Sequence, residues 1–277
     1  RSEVNPTTGI FPYPPVGNPA ITDSTSRRLR VLRAAIDPGQ HGSAVYLAEL
    51  QYIGADDALA GNALNNVSYR QARFSSATAP PTLTAPVART RCAIQGWADT
   101  DPEVGVVPVD FTDNGYPCRV WVASRVSEVS PGLWRYVYAV FNLNADRAVA
   151  GLVLPRRAGA ELGGAEQRFA PSDPGEVYSN TPWVYAAGSG EAGWRCAETY
   201  AENPNGNAIR WGTTHTFILL SSAGPENGRV RLPLFKPGLS GEPAELSVVL
   251  PVPSRGSCLA DFNGDGFVDF FDYDDFV

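Results

Sequence analysis

The sequence predicts an all-β fold, a β-sandwich of jelly-roll type. Gly (27) and Pro (24) are abundant among the 277 residues, which favours many turns over long helices. Several segments alternate apolar and polar side chains, the period of a half-buried strand, and no segment keeps a 3.6-residue period over three turns. We divide the chain into an arm (1–26), a sandwich domain (27–254) and a tail (255–277).

The arm is rich in proline between Asn5 and Val16. Proline forbids helix and weakens a central strand, so we expect an extended conformation close to polyproline II. An arm of this kind is ordered only when it is docked, either on its own domain or on a neighbouring copy. Its apolar side chains should be exposed; they are Ile10, Phe11, Tyr13 and Val16.

The strand signals of the sandwich domain begin near Leu29 and recur to Leu250. The clearest is a hairpin, in which Val120, Val122 and Val126 share one face and Pro131-Gly132 supplies the turn. Its return strand contains Leu133, Val137, Phe141 and Leu143. The other expected strands lie within 29–31, 45–53, 67–74, 148–154, 208–220, 230–234 and 246–250. The stretch 76–90 is expected to be a linker or a surface loop, and 155–176 and 185–208 are expected to be loops.

Four widely spaced cysteines favour two disulfides in a secreted protein over a zinc site. Three pairings exist, and we favour Cys92–Cys118 with Cys196–Cys258 because these close the shorter loops. Free buried thiols are the alternative.

The charge of the chain is concentrated in the tail. Six Asp and one Arg from Arg255 onward give −5, which leaves −2 of the net −7 for the rest. A nearly neutral body argues against a nucleic-acid partner. No apolar run reaches 18 residues, so we expect no membrane-spanning helix.

The tail contains a twelve-residue pattern that matches a calcium-binding loop, from Asp261 to Asp272. Side-chain oxygens occupy positions 1, 3, 5, 9 and 12, position 7 offers a backbone carbonyl, and Gly266 at position 6 allows the sharp turn. The predicted Ca²⁺ ligands are Asp261, Asn263, Asp265, Phe267 (backbone), Asp269 and Asp272. The Pro-rich residues before the loop exclude an entering helix, so only an exit helix from about residue 270 is expected.

Four strings carry a resemblance to a known group of proteins: CLADFNGDGFVD (258–269), WRYVY (134–138), NLNADR (142–147) and NAIRWGT (207–213). The first resembles the dockerin-like tails of secreted planctomycete-type bacterial proteins, called GC-type dockerin-anchored proteins. The resemblance covers most of the chain from about residue 118, and it implies secretion and calcium binding without implying a catalytic activity. A full dockerin has two such loops, whereas this chain has one.

Catalytic and sugar-binding signals are weak. No GxSxG, HExxH or Walker motif is present, and we expect no enzyme, although two glycosidase-type carboxylates on a sandwich would leave no sequence signature. His41 lies in a turn, and His215 is expected to be a buried core histidine. Trp183 and Trp194, in loop-rich stretches, are the candidates for stacking on sugars. Asn66 is the one N-glycosylation sequon.

These features together predict a secreted, non-catalytic structural protein that assembles with copies of itself into an extracellular fibre or surface layer. The arm would add to a neighbour's sheet head to tail, and calcium would stiffen the tail. The alternative is a carbohydrate-binding or dockerin-anchored module of a larger secreted system.

Overall fold

The computed structural model describes residues 1–14, 31–172 and 176–253, and the calcium-loop prediction lies outside this part. Within it, most regular structure is strand, which confirms the predicted all-β class. The helices are α1 (Arg33–Ile36), α2 (Ala55–Leu59) and α3 (Ala93–Thr100). The strands are β1 (Tyr46–Gln51), β2 (Val67–Arg73), β3 (Thr82–Leu83), β4 (Ala88–Arg89), β5 (Gly105–Asp113), β6 (Tyr116–Ser130), β7 (Leu133–Asn142), β8 (Gly151–Pro155), β9 (Leu162–Phe169), β10 (Val184–Ala187), β11 (Glu191–Arg195), β12 (Thr213–Ser221), β13 (Pro225–Pro233) and β14 (Glu245–Pro253).

Two five-stranded antiparallel sheets form the sandwich. The first sheet has the order β5-β6-β7-β12-β9, and the second has the order β10-β11-β8-β13-β14. Alternate side chains of both sheets meet in one core, with Val122 and Phe217 from the first sheet and Leu152 and Leu232 from the second. This strand order does not establish the predicted jelly-roll connections, because β5, β6 and β7 form a continuous meander within one sheet.

The predicted hairpin is confirmed as β6 and β7, with Val122 opposite Val140 and a turn at Gly132. Its two strands are buried on both faces. Val120, Val122 and Tyr138 point into the sandwich core, whereas Ala123 and Phe141 point to the opposite face of the first sheet.

A small antiparallel sheet, with the order β1-β2-β3 and with β4 also on β2, covers that opposite face together with α3. Ile94 and Trp97 of α3 pack there. A Cβ on Gly96 would lie 2.7 Å from a Leu47 methyl and 2.9 Å from the Tyr69 ring, so glycine lets the helix lie this close to β1 and β2. The stretch 76–90, expected to be a linker or a loop, contributes β3 and β4 to this sheet.

The described residues include no helix that is both long and apolar enough to cross a membrane.

Candidate functional site: the docking pocket of the N-terminal arm

The first fourteen residues lie against the chain's own domain, one of the two expected arrangements, but they are not fully extended. Asn5 Oδ1 accepts hydrogen bonds from the backbone N–H groups of Thr7 and Thr8, both at 3.0 Å. The Asn5 N–H donates to the Ile10 carbonyl at 2.9 Å, and Gly9, with φ of 71°, donates to the Asn5 carbonyl. The expectation of a polyproline II arm is therefore wrong for 5–10, because asparagine and glycine close a turn there.

Thr7 lies at the tip of this turn and is inserted into the domain, with 1% of its surface exposed. Its hydroxyl oxygen accepts a hydrogen bond from the Asp146 N–H (3.0 Å). The same oxygen lies 3.1 Å from the Asn144 carbonyl oxygen, 3.3 Å from Asp113 Oδ2 and 3.6 Å from Cys118 Sγ. We call these surroundings of Thr7 (Asp113, Cys118, Asn144 and Asp146) the arm pocket.

The arm pocket is built by local sequence features of the first sheet. Asp113 ends β5, and the next two residues, Asn114 and Gly115, both have positive φ, as a tight two-residue hairpin turn requires. The Asn144 side chain accepts a hydrogen bond from the Arg119 N–H and donates one to the Pro117 carbonyl, both at 3.0 Å. These contacts fix the position of the Asn144 backbone beside Thr7.

A group of charged side chains surrounds the carboxyl group of Asp113. Burial raises the pKa of Asp113, and the nearby Arg147 partly opposes this, while Glu242 and Asp146 raise the pKa further. The charge of Asp146 is paired with Lys236 at 2.8 Å. The Thr7 hydroxyl lies within donating distance of both the Asp113 carboxylate and the Asn144 carbonyl, and its hydrogen bond to Asp113 lowers the pKa of that carboxyl.

Further contacts hold the arm. The Ser2 N–H donates to Glu176 Oε2 (3.1 Å), and Trp211 Nε1 donates to the Arg1 carbonyl (3.3 Å). At Gly9 the arm backbone touches the backbone before α2, where a Cβ would lie only 2.4 Å from the Gly54 carbonyl carbon. Any side chain at position 9 would therefore lift the arm from the domain.

Large apolar side chains around this contact stay in solvent, as the sequence predicts for Ile10, Phe11 and Tyr13. Tyr13 is the most exposed of them, at 87%. On the domain side, Tyr52 and Leu59 flank Gly54 and are each 73% exposed. We call these five residues the arm-flanking apolar surface, and a monomer leaves it uncovered.

The two tryptophans predicted to stack on sugars are core residues, so that prediction is wrong. Trp183 is 6% and Trp194 1% exposed. Trp194 belongs to β11 and packs on Phe217 with ring centroids 5.2 Å apart. The indole N–H of Trp183 donates to the Asn207 carbonyl. Neither ring has a free face to offer a sugar.

The prediction that His215 is a buried core histidine is confirmed, at 3% exposure. The Trp183 backbone N–H donates to Gln167 Oε1 at 2.8 Å, which fixes the side-chain amide so that its nitrogen donates to His215 Nδ1 at 3.1 Å. Nδ1 must then be an unprotonated acceptor. Burial lowers the pKa of His215 to about 3, so the ring is neutral and structural.

The predicted Cys92–Cys118 disulfide is absent, and both thiols are free and buried. Alternation along β6 explains this. Cys118 lies on the same side of the strand as Val120 and Val122, whereas Cys92 packs with Ala123 on the other face of the first sheet. Burial raises the pKa of each thiol to about 12. Cys196 has no disulfide partner among the described residues, and its predicted partner Cys258 lies outside them, so the Cys196–Cys258 pairing stays a prediction.

Two predicted sites remain untested. Asn66 is half-buried, with its amide nitrogen donating to Asp57, and its glycosylation stays a prediction. The calcium ligands Asp261, Asn263, Asp265, Phe267, Asp269 and Asp272 lie outside the described residues. Elsewhere in the described ranges no group of three or more His, Cys, Asp or Glu side chains is arranged to hold a metal ion.

No protein-family model matches the chain, and no curated protein is significantly similar to it. The dockerin-like tail therefore stays a prediction from the motif itself.

Proposed function

We propose that this chain is a secreted, non-catalytic structural protein that assembles with copies of itself into an extracellular fibre or surface layer. The arm-flanking apolar surface is the observation that carries this proposal. Five large apolar side chains lie on two segments that meet at Gly9 and Gly54, and all five are at least half exposed.

Association with another copy gives these side chains something to pack against. Isolated exposed apolar residues are common on monomers, whereas a contiguous apolar surface marks an interaction site, and we propose that these five side chains form one. Covering the exposed part of an aromatic side chain such as Tyr13 or Phe11 stabilises a contact by roughly 2 kcal/mol. Two or three such contacts are enough to offset much of the entropy lost on association.

Calcium binding at the tail is the second part of the proposal. Asp261, Asn263, Asp265, Asp269 and Asp272 would supply side-chain oxygens, and Phe267 its carbonyl. Bound calcium would offset the mutual repulsion of the four loop carboxylates. A dockerin-anchored module of a secreted system is the other candidate, and the complete ligand pattern of this loop favours it equally. Sugar binding by Trp183 and Trp194 is not part of either candidate.

Negative-stain electron microscopy and light scattering of the purified full chain, with calcium and with a chelator, test the proposal. We expect fibres or large assemblies in calcium and a shift to smaller species on chelation. The double variant Phe11→Ser/Tyr13→Ser should stay monomeric. Val249→Ser, which removes an exposed apolar side chain from β14 at the edge of the second sheet, is the matched control and should assemble normally.

A monomer at all concentrations in calcium would contradict the self-assembly proposal. Monomers that bind a cohesin-like receptor only in calcium would support the dockerin-anchored candidate instead.

A further inference from the structure

The arm meets the domain through a few specific contacts with residues far away in sequence. Thr7 contacts residues 106 to 139 positions away, and Ser2 contacts Glu176, 174 positions away. No strand ladder joins the arm to the domain, within the described residues. Its docking therefore depends on the arm pocket, the Gly9 contact and the hydrogen bonds of Arg1 and Ser2, and these would be the same whichever copy of the chain supplies the arm.

The length of chain between the arm and the domain allows the arm to dock either in its own domain or in that of a second copy. Sixteen residues separate Pro14 from Val31, and such a stretch spans up to about 55 Å when extended. This exceeds the width of a small domain. Exchange of an identical element between copies costs little, because it replaces one set of contacts by the same set.

Docking in the arm's own domain has the advantage of a high effective concentration, on the order of millimolar for a tether of this kind. Exchange must therefore add contacts that the monomer lacks. The arm-flanking apolar surface provides them. When the arm enters a second copy, the two domains are brought near each other, and the exposed side chains of Ile10, Phe11 and Tyr13 would gain a second domain to pack against.

We propose that the arm docks in trans, with Thr7 of one copy in the arm pocket of the next copy, head to tail. This inference rests on the proposed self-assembly and identifies the contact that connects one copy to the next. Each copy gives one arm and receives one, and a head-to-tail contact whose rotation does not close a ring produces a linear chain of subunits.

The variant Thr7→Cys tests this directly, because the Thr7 hydroxyl oxygen lies 3.6 Å from Cys118 Sγ. A cysteine at position 7 is placed to form a disulfide with Cys118 of whichever copy holds the arm. The full chain is assembled in calcium, oxidised with oxidised glutathione, and resolved on a non-reducing denaturing gel with peptide mass mapping. Thr7→Cys/Cys118→Ser is the matched control and should form no link from residue 7 to position 118.

We expect a ladder of dimers, trimers and larger species, joined by a peptide that links residues 7 and 118 and collapsed by reduction. A monomer band carrying the same link, in samples that form fibres, would overturn the exchange and leave self-assembly intact. Dimers without larger species would overturn the head-to-tail arrangement in favour of a closed pair. Samples without any assembly would overturn both proposals, and the absence of a link in every band would overturn the exchange.

Gly9→Ala provides a test that does not need the disulfide. Its Cβ would collide with Gly54, and the strain should weaken arm docking by about tenfold or more. We expect the average mass measured by sedimentation to fall, while Gly61→Ala, at a positive-φ glycine whose Cβ would have open space, assembles like the wild type. Unchanged assembly of Gly9→Ala would overturn the exchange.

Discussion

His215 and Asp113 are both buried titratable residues, and their surroundings differ in kind. His215 is enclosed by Phe169, Trp183 and Phe217, with ring centroids 5.1 to 6.3 Å away. Asp113 lies at the end of a strand under Thr7, and within the described ranges no ladder connects the segment of Thr7 to the sheet. The first residue is sealed by the sandwich itself and the second by a separable segment.

This difference in burial indicates which part of the molecule can become exposed to solvent without global unfolding. His215 becomes accessible when the aromatic rings of Phe169, Trp183 and Phe217 are pulled away from it, which breaks the sandwich core. Asp113 becomes accessible when a few hydrogen bonds around Thr7 are lost. Local opening follows the weakest set of contacts, so the arm should open at a lower free energy than the core.

The largest expected effect concerns His215 and acid. Its pKa is lowered to about 3 in the folded state, against 6.5 in the unfolded chain, so the unfolded state takes up a proton as pH falls below 6.5. This should destabilise the fold by up to about 5 kcal/mol between pH 6.5 and 3. In His215→Phe that part of the pH dependence should vanish, measured by denaturant unfolding at several pH values.

His41→Gln, which changes an exposed histidine in a turn, is the matched control and should keep the wild-type pH dependence. If His215→Phe lost stability on acidification as steeply as the wild type, His215 would not be the source of the pH dependence. The statement that the surrounding aromatic rings keep it unprotonated in the folded protein would then be wrong.

A smaller effect is expected at Thr7. Thr7→Val keeps the shape of the side chain but leaves Asp113 and the Asp146 N–H without their hydroxyl partner, which costs roughly 1–3 kcal/mol. Hydrogen exchange at the Gly9 amide, which donates to Asn5, should accelerate, while exchange in β7 should not change. Thr7→Ser retains the hydroxyl and serves as the control. Equal exchange in both variants would show that the hydroxyl does not hold the arm.

The smallest expected effect has the opposite pH sign to that of His215. The pKa of Asp113 is raised by burial, so the folded protein keeps a proton that the unfolded chain releases above its reference pKa of 3.8. Docking of the arm should therefore weaken as pH rises from about 4 through the folded pKa. Asp113→Asn keeps an acceptor for Thr7 and should remove this dependence, as followed by Gly9 exchange. A dependence that persists in this variant would show that Asp113 is not its source.

The strands and His215 could be predicted from sequence because alternation is a local signal. His215 and Phe217 share a face of β12 with Leu219, and all three are in the core. The prediction for Trp194 failed because the local alternation signal is weak around it. β11 reads Glu-Ala-Gly-Trp-Arg, and its glycine weakens the alternation that would have marked Trp194 as inward-facing.

The docking of Thr7 in the arm pocket could not be predicted, because Thr7 lies more than one hundred residues away in sequence from each residue of the pocket. Local signals for its parts were present. Asn5, Pro6 and Gly9 are turn residues, and Asn114-Gly115 is a strong hairpin signal that places Asp113 at a strand end. Nothing in the sequence connects Thr7 to Asp113. The eight-residue helix α3 was also missed, since two turns are too short for a clear helical period.

The way Thr7 is held has a mechanical consequence. Its contacts reach the end of β5 through Asp113, the start of β6 beside Cys118, and the segment after β7 through Asn144. Tension on the arm is therefore divided among three adjacent strands, which the nine residue pairs between β5 and β6 and the ten between β6 and β7 bind together. We therefore expect a pulling force on the arm to undock Thr7 before it separates β5, β6 and β7, so that the domain stays folded.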